Sequence, residues 1–455
     1  MTVSRESGHR FFPQERAAAA IETCLARIEQ LDPTLHAFIT VTADGARAAA
    51  RNADRMRSGQ HTPGSLAGVA IAVKDCIDVE DVRCTSGSHF FTHRVAQADA
   101  RVIARLRASG AAIIGKTNMH ELAYGGTTQN AFFGGCRNPW DTSRIPGGSS
   151  GGSAVAVAAG LAHGALGTDT GSSIRMPAAL TGITGLRPTW GSVSPSGILP
   201  VSPPHDIAGP MARSVPDVAA LFATILETEP CQSHGLTPDA LVSALGEDIS
   251  GLRIAVPDDF FFAEADEAVA ETVMSAIRRI ERRGARVISR TLLHAAEAQA
   301  NLMPVLFADA AAFHRERLEK HPEGFSIGVR TRLQPGLDMR AIDYADRLRW
   351  LEAWRQRCAR FFADEADVMI TPTVPVVAPP IGDDRKLTEV SSRLSRFCWV
   401  APAAGLPALT LPCGFVSGLP VGMQVMGARW RDAIVLAVGA AYQRLTDWHR
   451  QVPPL

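Results

Sequence analysis

The sequence lacks the patterns that would indicate a metal site, a cofactor or an oxidising compartment. Its 8 cysteines form no C-x-x-C pair, and scattered cysteines in a long chain are typical of reduced thiols inside a cell. The 13 histidines include no H-E-x-x-H pattern, the zinc arrangement of many hydrolases. We therefore predict a cytoplasmic protein that uses no metal and no cofactor.

An excess of either charge is also missing, because Lys plus Arg and Asp plus Glu both number 46. Nucleic acids and anionic membranes attract basic proteins. The opening residues, MTVSRESGHRFFPQER, lack the apolar core of a signal peptide. No uninterrupted apolar run approaches the ~18 residues of a membrane-spanning helix. We expect no direct nucleic-acid partner and no membrane partner.

The composition is that of a globular protein with a substantial core, with 46% hydrophobic and 20% charged residues. Helix and strand signals alternate along the chain, which favours an α/β fold. No internal repeat and no low-complexity linker divides it. We predict a single domain over residues 1–455, with N-terminal helices at about 13–56, a core at about 66–227 and a variable region at about 228–365.

The most unusual stretch runs from Pro146 to Pro188 and combines glycine–serine clusters with short apolar segments. It predicts two tight turns, at residues 147–152 and 170–173, joined by an Ala-rich helix at about 153–163 and a short strand. Glycine lets a backbone approach another group closely. Serines on such turns have their hydroxyls aimed by the fold, so they are candidate nucleophiles.

A serine nucleophile needs donors that receive the oxyanion formed by its attack. Consecutive backbone NH groups on a turn form an anion-binding concavity. The second turn offers four of them in a row, so we predict an oxyanion hole built from the NH groups of Thr170, Gly171, Ser172 and Ser173.

The nucleophile also needs a base, and none lies in this stretch, since nothing places His163 against Ser173. Upstream, the apolar segment LAGVAIAVKD at 66–75 predicts a strand that ends in Lys74. Burial lowers the pKa of a lysine, and a lysine so lowered serves as the base in Ser-Lys hydrolases. The alternative is that Lys74 is only a charge at the end of a strand.

Two other matches to known sequence motifs are weaker. Residues 110–117, GAAIIGKT, satisfy the phosphate-loop pattern, but a helix precedes them and their centre predicts a buried strand, the reverse of the required order. Residues 148–152, GSSGG, fit G-x-S-x-G without the strand that such an elbow requires before it. Ser150 is therefore predicted to be a supporting hydrogen-bond partner and not the nucleophile.

Long motifs of one enzyme family occur along most of the chain. The spacing matches as well, because Lys74 and Ser149 are 149 − 74 = 75 residues apart and Ser149 and Ser173 are 173 − 149 = 24 apart. On these residues the chain resembles the amidase signature family. The matching segments are AVKD at 72–75, NPWD at 138–141, GGSSGGS at 147–153, GTDTGSSIRMPAA at 167–179, GLRPTWGSVS at 185–194 and GLPALTLPCGF at 405–415.

The resemblance implies a single α/β domain with a large mixed sheet flanked by helices on both faces. It also implies the catalytic roles. Ser173 would be the nucleophile that forms an acyl-enzyme, Lys74 the base, and Ser149 the bridge between them, preceded by a cis peptide bond from Gly148. The loop with Gly125, Gly126 and Thr127 would border the substrate pocket.

From this resemblance we expect a cofactor-independent amidase that hydrolyses a small non-peptide amide to an acid plus ammonia or an amine. Its partners would be the small amide and a second copy of the chain in a homodimer. One alternative is the glutaminase component, the A subunit, of a tRNA-dependent amidotransferase. Another is a silent binding protein, because Ser172 stands where the family usually has glycine and could disable the oxyanion hole.

Overall fold

One large mixed sheet runs through the molecule. The computed structural model describes Phe12 and residues 16–58, 64–257 and 259–455. Eleven strands form the sheet in the order β1-β3-β2-β6-β8-β7-β12-β13-β11-β9-β10, and β4 pairs with β5 in a small ribbon. The strands are β1 (Phe38–Val41), β2 (Ala70–Lys74), β3 (Ala112–Thr117), β4 (Gln129–Asn130), β5 (Gly134–Gly135), β6 (Gly164–Thr168), β7 (Thr184–Arg187), β8 (Ala208–Ala212), β9 (Arg253–Val256), β10 (Arg286–Ser289), β11 (Val368–Pro372), β12 (Ala408–Val416) and β13 (Leu419–Gly427).

Helices cover both faces of this sheet, which confirms the predicted fold class. They are α1 (Ala17–Leu35), α2 (Ala43–Ser58), α3 (Arg101–Ala108), α4 (Gly151–Ala158), α5 (Arg175–Thr181), α6 (Val215–Ile225), α7 (Pro238–Ser243), α8 (Phe260–Ala263), α9 (Glu267–Glu281), α10 (Ala298–Phe313), α11 (Arg315–Lys320), α12 (Ile327–Leu337), α13 (Ala341–Arg360), α14 (Asp384–Ser395), α15 (Val400–Ala404) and α16 (Asp432–Gln443). Within the described ranges, no helix combines the length and apolar character needed to cross a bilayer.

Strand β2 shows how the core is divided. Its side chains alternate between the two faces of the sheet, as in any pleated strand. Ile71 and Val73 pack into a core with α3, α6, α9 and α16, whereas Ala70 and Ala72 pack against α1, α2 and α4. Because both faces are covered, the strand is apolar at every position before its last, and that last position is Lys74.

The N-terminal helix continues past its predicted end. The sequence predicts a stop at Asp32, but α1 includes Pro33 and ends at Leu35. A proline in the last turn removes only one backbone hydrogen bond, and the Asp32 carboxylate accepts the NH of Ala37 at 2.6 Å just beyond the helix. The predicted start near Pro13 lies outside the described residues.

Three elements of the fold have no clear sequence signal. Strand β8 reads AGPMA and contains the two residues that are rarest in strand interiors. Helix α12 contains Pro335, and α14 is largely polar. The sequence also predicts one helix at about 293–320, but the structure divides it into α10 and α11 at His314. Neighbouring elements decide these segments, since local pattern is weak in each.

The segment that matches the phosphate-loop pattern is strand β3, as predicted from its apolar centre. Lys116 lies inside that strand, fully buried, and its Nζ pairs with Asp75 Oδ1 at 2.9 Å. A lysine committed to a buried ion pair does not face a phosphate. This segment is part of the core.

Candidate active site

The sheet brings Lys74 to the centre of the candidate site. Strands β2 and β6 are parallel neighbours, so their carboxyl ends lie at the same edge of the sheet. Lys74 ends β2 and Thr168 ends β6. The Lys74 Nζ donates to the Thr168 hydroxyl at 2.7 Å and to the Ser149 hydroxyl at 2.8 Å. The lysine therefore contacts the predicted bridging serine directly.

Burial determines the protonation of this lysine. Lys74 is fully buried, and this loss of solvation lowers its pKa from the usual value of about 10.5. The negative charges of Asp169 and Asp206 oppose the shift without cancelling it. A larger share of neutral amine is the property that a general base requires.

The first glycine–serine turn holds Ser149 rigidly. The peptide bond between Gly148 and Ser149 is cis. The Thr128 hydroxyl donates to the Gly147 carbonyl at 2.8 Å and accepts the NH of Gly151 at 3.1 Å. These contacts fix the turn from both sides of Ser149.

Ser150 supports the same turn. Its hydroxyl donates to the Thr168 carbonyl at 3.2 Å and accepts the NH of Thr168 at 3.3 Å. The two contacts tie the turn to the end of β6, beside Lys74. This is the geometry of a supporting partner.

Ser173 lies next to this assembly, at the edge of a cavity. The NH of Ser150 donates to the Ser173 carbonyl at 3.2 Å, which joins the two glycine–serine turns. Ser173 is partly exposed and borders the cavity, whereas Ser149 is fully buried. In the described part of the chain no hydrogen bond joins the Ser149 and Ser173 hydroxyls, so the second link of the relay stays a prediction.

The second turn offers unoccupied donors to the cavity. Its residues Thr170, Gly171, Ser172 and Ser173 all border the cavity. Among the described residues, no hydrogen bond occupies the four NH groups of this turn. Neither Gly171 nor Ser172 has a positive φ, so the serine adds no backbone strain in place of the family's glycine.

Gly171 is required here by a close approach. A Cβ built at this residue would lie 2.9 Å from the Trp399 ring, a separation that real side chains do not show. Trp399 is buried, and its indole NH donates to Ser395 at 3.0 Å. The predicted oxyanion turn is therefore packed against an aromatic wall of the cavity.

Asp169 directly precedes the second turn and supports it through Arg175. It was not among the predicted site residues. Its carboxylate accepts two hydrogen bonds from Arg175, each at 3.0 Å, and lies 3.4 Å from Arg187. Arg175 in turn donates to the Gly171 carbonyl at 2.8 Å. Burial would raise the pKa of Asp169, but the two arginines outweigh it and hold the pKa below its usual value.

Removing this charge should destabilise the protein. We expect Asp169→Asn to lower the free energy of unfolding by about 3–5 kcal/mol, because two buried guanidinium groups lose their carboxylate. Urea denaturation measures the change. The matched control is Asp141→Asn, which breaks the more exposed pair with Arg144 and should cost at most about 1 kcal/mol. Equal effects of the two substitutions would contradict the role of Asp169.

The cavity in front of Ser173 has a volume of about 320 Å³. Gly125 and Gly126 border it, but Thr127 does not. The Thr127 hydroxyl instead turns inward and lies 3.2 Å from His120 Nδ1. Of the other lining residues, Met303, Leu306, Phe307, Thr331 and Arg332 come from the variable region, and Met176, Val201, Ser391, Ser392 and Trp399 come from the segments before and after it.

Other groups at the site are structural. His163 accepts the NH of Ala70 at 2.9 Å and lies against α1, away from Ser173. Over the described ranges, no three His, Cys, Asp or Glu side chains are grouped to hold a metal ion. None of the 8 cysteines forms a disulfide.

Comparison with known proteins matches nearly the whole chain. The amidase family model matches residues 19–436. The A subunit of glutamyl-tRNA(Gln) amidotransferase from Roseiflexus sp. (strain RS-1) is 40% identical, over 95% of this chain and 94% of that protein. A vestigial protein complex described as revealing the origins of an s-triazine catabolic enzyme has a TM-score of 0.88 at 32% identity, covering 95% and 96% of the two chains. The A subunit of glutamyl-tRNA(Gln) amidotransferase from Thermotoga maritima has a TM-score of 0.76 at 29% identity, covering 94% and 91%.

These relatives correct two predictions. The prediction of a stand-alone amidase for small amides is wrong, because the curated relatives that match at 40% identity are named as the A subunit of an amidotransferase. The predicted partners, a small amide and a second copy of the chain without nucleic acid, are wrong for the same reason. The motifs describe the residues of the candidate site and carry no information about the partners of the chain.

The family itself is established by the match over residues 19–436 and by the shared fold. The sequence motifs and the arrangement around Lys74 agree with it. The chain belongs to the amidase signature family and is an enzyme that acts on amide C–N bonds.

Proposed function

We propose that this chain is the glutaminase subunit of a glutamine-dependent amidotransferase that acts on glutamate attached to tRNA. The observation that carries this proposal is the 40% identity to the A subunit of such an amidotransferase over 95% of the chain. The chain would hydrolyse the side-chain amide of glutamine, and partner subunits would use the released ammonia. The contacts with tRNA would then belong to those partners, in agreement with the balanced charge of this chain.

The chemistry would start with the neutral amine of Lys74. The amine accepts the proton of the Ser149 hydroxyl, whose Oγ lies at hydrogen-bond distance, 2.8 Å from Nζ. Ser149 in turn accepts the proton of the Ser173 hydroxyl. Ser173 then attacks the amide carbon, and the oxyanion is held by the NH groups of residues 170–173. The relay returns its proton to the departing ammonia. Water attacks the acyl-enzyme by the same route and releases glutamate.

The second acceptor of Lys74 supports this assignment. Thr168 fixes the amine between two hydroxyls, and only one of them, Ser149, belongs to the turn that contacts Ser173. The amine is thereby directed along one proton path. The cavity of about 320 Å³ has the size of a site for one small molecule. A free amino acid amide such as glutamine fits that class.

The silent-protein alternative has less support. It requires Ser172 to disable the oxyanion turn, but that residue has an ordinary φ and leaves its NH among the unoccupied donors. We place the enzyme in the cytoplasm, where reduced cysteines are the rule. The 8 buried thiols suit that compartment.

The test is ammonia release from glutamine and amidation of glutamyl-tRNA(Gln), measured with the chain alone and together with the other amidotransferase subunits of the same organism. We expect glutamine-dependent amidation only in the assembled enzyme. Replacing glutamine by ammonium chloride should bypass this chain, so that amidation persists even when the chain carries Ser173→Ala. Failure to assemble, or amidation that never depends on this chain, would contradict the proposed function.

A further inference from the structure

A carboxylate outside the triad contacts the oxyanion turn. Asp206 lies in the segment before β8, and its Oδ1 accepts the hydroxyl proton of Thr170 at 2.6 Å. Its Oδ2 accepts the NH groups of Val201 at 2.8 Å and Ser202 at 3.0 Å. Thr170 and Val201 both border the cavity in front of Ser173. One carboxylate thus joins two walls of the same cavity.

The backbone around this carboxylate is tied to the sheet. The NH of Asp169 donates to the Ile207 carbonyl at 2.8 Å, and Arg187 donates to the His205 carbonyl at 3.1 Å. The residues on both sides of Asp206 are therefore held in place by hydrogen bonds from Asp169 and Arg187. The turn at 170–173 is held at its carbonyls, since Arg175 donates to Gly171 and the NH of Ser150 donates to Ser173, but its four NH groups are unoccupied in the described structure. The Thr170 hydroxyl is its side-chain link to this rigid segment.

We propose that Asp206 is a positioning residue, which fixes the oxyanion turn by accepting the Thr170 hydroxyl with one oxygen and two amides of the facing wall with the other. This inference rests on the proposed function, because it assigns the turn its role in acyl transfer. Oxyanion donors act only when they are aimed in advance at the developing charge. Loss of the link would free the Thr170 end of the turn and displace its donors, while Lys74 and the Ser173 carbonyl keep their own hydrogen bonds.

Asp206 also faces the charges of the site. Arg187 of β7 and Lys74 of β2 both interact with it electrostatically, and His205 beside it is neutral because burial lowers its pKa to about 3. Burial raises the pKa of Asp206 to about 6, against its three hydrogen bonds and Arg187. Above that pH the carboxylate accepts all three hydrogen bonds. Below it, the added proton removes acceptor capacity and a negative charge near Lys74.

The network continues away from the site and supplies a control. The Ser202 hydroxyl donates to Asp309 of α10 at 2.5 Å, and Tyr344 of α13 donates to the other oxygen of Asp309 at 2.8 Å. Tyr344 belongs to the same hydrogen-bonded chain but touches neither the turn nor the cavity. Tyr344→Phe removes one hydrogen bond far from the reacting atoms.

The experiment measures the rate at which a fluorophosphonate forms an adduct on Ser173 of the full-length chain, followed by intact mass and peptide mapping. This reaction needs the nucleophile and the oxyanion turn but no partner subunit. We expect Thr170→Val and Asp206→Asn each to slow adduct formation by about 10- to 100-fold, the effect of a misplaced catalytic group. Thr170→Ser keeps the hydroxyl and should recover most of the rate lost in Thr170→Val. Tyr344→Phe should react as the wild type does.

The pH profile separates positioning from a merely structural role. The wild-type rate should fall as pH drops through about 6, where Asp206 gains its proton. Asp206→Asn has no carboxyl proton to gain, so the limb near pH 6 should be absent from its profile. It also removes a charge that raises the pKa of Lys74, so any remaining fall, set by Lys74, should lie at lower pH. The Thr170 hydroxyl lowers the pKa of Asp206, so Thr170→Val should move the limb to higher pH. A structural residue would change the rate without moving the limb.

Each outcome of this experiment either supports or contradicts the positioning role of Asp206. Wild-type rates in both Thr170→Val and Asp206→Asn would overturn the positioning role and leave the proposed function intact. No adduct on Ser173 of the wild type would contradict the proposed function and the inference together. If Asp206→Asn fails to fold, as judged by thermal unfolding, the Thr170→Val and Thr170→Ser pair still tests the link, because it changes only a methyl or hydroxyl group on the turn.

Discussion

Ser173→Ala should abolish glutamine hydrolysis, with a loss of about 10⁴-fold or more, while the fold remains intact. The residue would supply the electrons for the new acyl bond, and it is joined through its carbonyl to the turn of Ser149, the hydrogen-bond partner of Lys74. Removal of the nucleophile from a serine hydrolase leaves only the residual effect of binding and oxyanion donors. Ammonia release gives the rate, and thermal unfolding monitors the fold.

The matched control is Ser233→Ala, which removes an exposed hydroxyl that donates only to the nearby Pro230 carbonyl. It should keep the wild-type rate in the same assay. The fluorophosphonate adduct provides the second measurement, because Ser173→Ala should show none. Turnover retained by Ser173→Ala in a preparation free of other amidases would remove Ser173 as the nucleophile.

Lys74→Met should lower the rate by about 10²- to 10⁴-fold, the usual contribution of a positioned general base. Methionine fills a similar volume without an amine, so Ser149 would lose its proton acceptor. Lys74→Arg discriminates further, because a guanidinium donates hydrogen bonds but cannot be deprotonated in a protein. A base role predicts that arginine fails like methionine. A role as a donor or as a positive charge predicts partial activity.

The pH dependence of this prediction follows from the buried amine. Burial lowers the pKa of Lys74, and only its neutral form can accept a proton. The wild-type rate should therefore rise with pH through that pKa, in addition to the rise near pH 6 that is set by Asp206, and Lys74→Met should lose only the contribution of Lys74. Lys320→Met, which removes a largely exposed amine, serves as the control and should leave the rate and profile unchanged. An unchanged neutral-pH rate in Lys74→Met would contradict the assignment.

The predictions from sequence were best where local pattern and structure agree. The sequence Ser214-Val215-Pro216-Asp217 predicts a helix start, and α6 begins there, with the Ser214 hydroxyl accepting the NH of Asp217. The strand, helix and strand signals at 252–256, 267–283 and 285–289 predict a parallel pair with a crossover helix, and β9 and β10 form that pair around α9. The prediction failed at β8 and α12, where glycine and proline hide the pattern and only neighbouring elements impose the conformation.

Two site residues that the sequence did not predict, Thr168 and Asp206, lie far along the chain from the residues that they contact. Thr168 lies 94 residues from Lys74, and Asp206 lies 36 residues from Thr170. The hydrogen-bond partner in each case depends on which strands are neighbours in the sheet. Asp169 was missed as well, although an acid directly before a glycine–serine turn is a sequence signal, because a buried charge requires a partner.

The sequence by itself determined the family, the two glycine–serine turns and the strand that ends in Lys74, because each depends on residues close together in the chain. It did not determine the partners, since the motifs describe the reacting groups and the family uses them for several purposes. Only the tertiary structure decided that Lys74 donates a second hydrogen bond to Thr168, that Trp399 packs on Gly171 and that Asp206 accepts the Thr170 hydroxyl. Those contacts arise from the strand order of the sheet, which joins segments far apart in the chain.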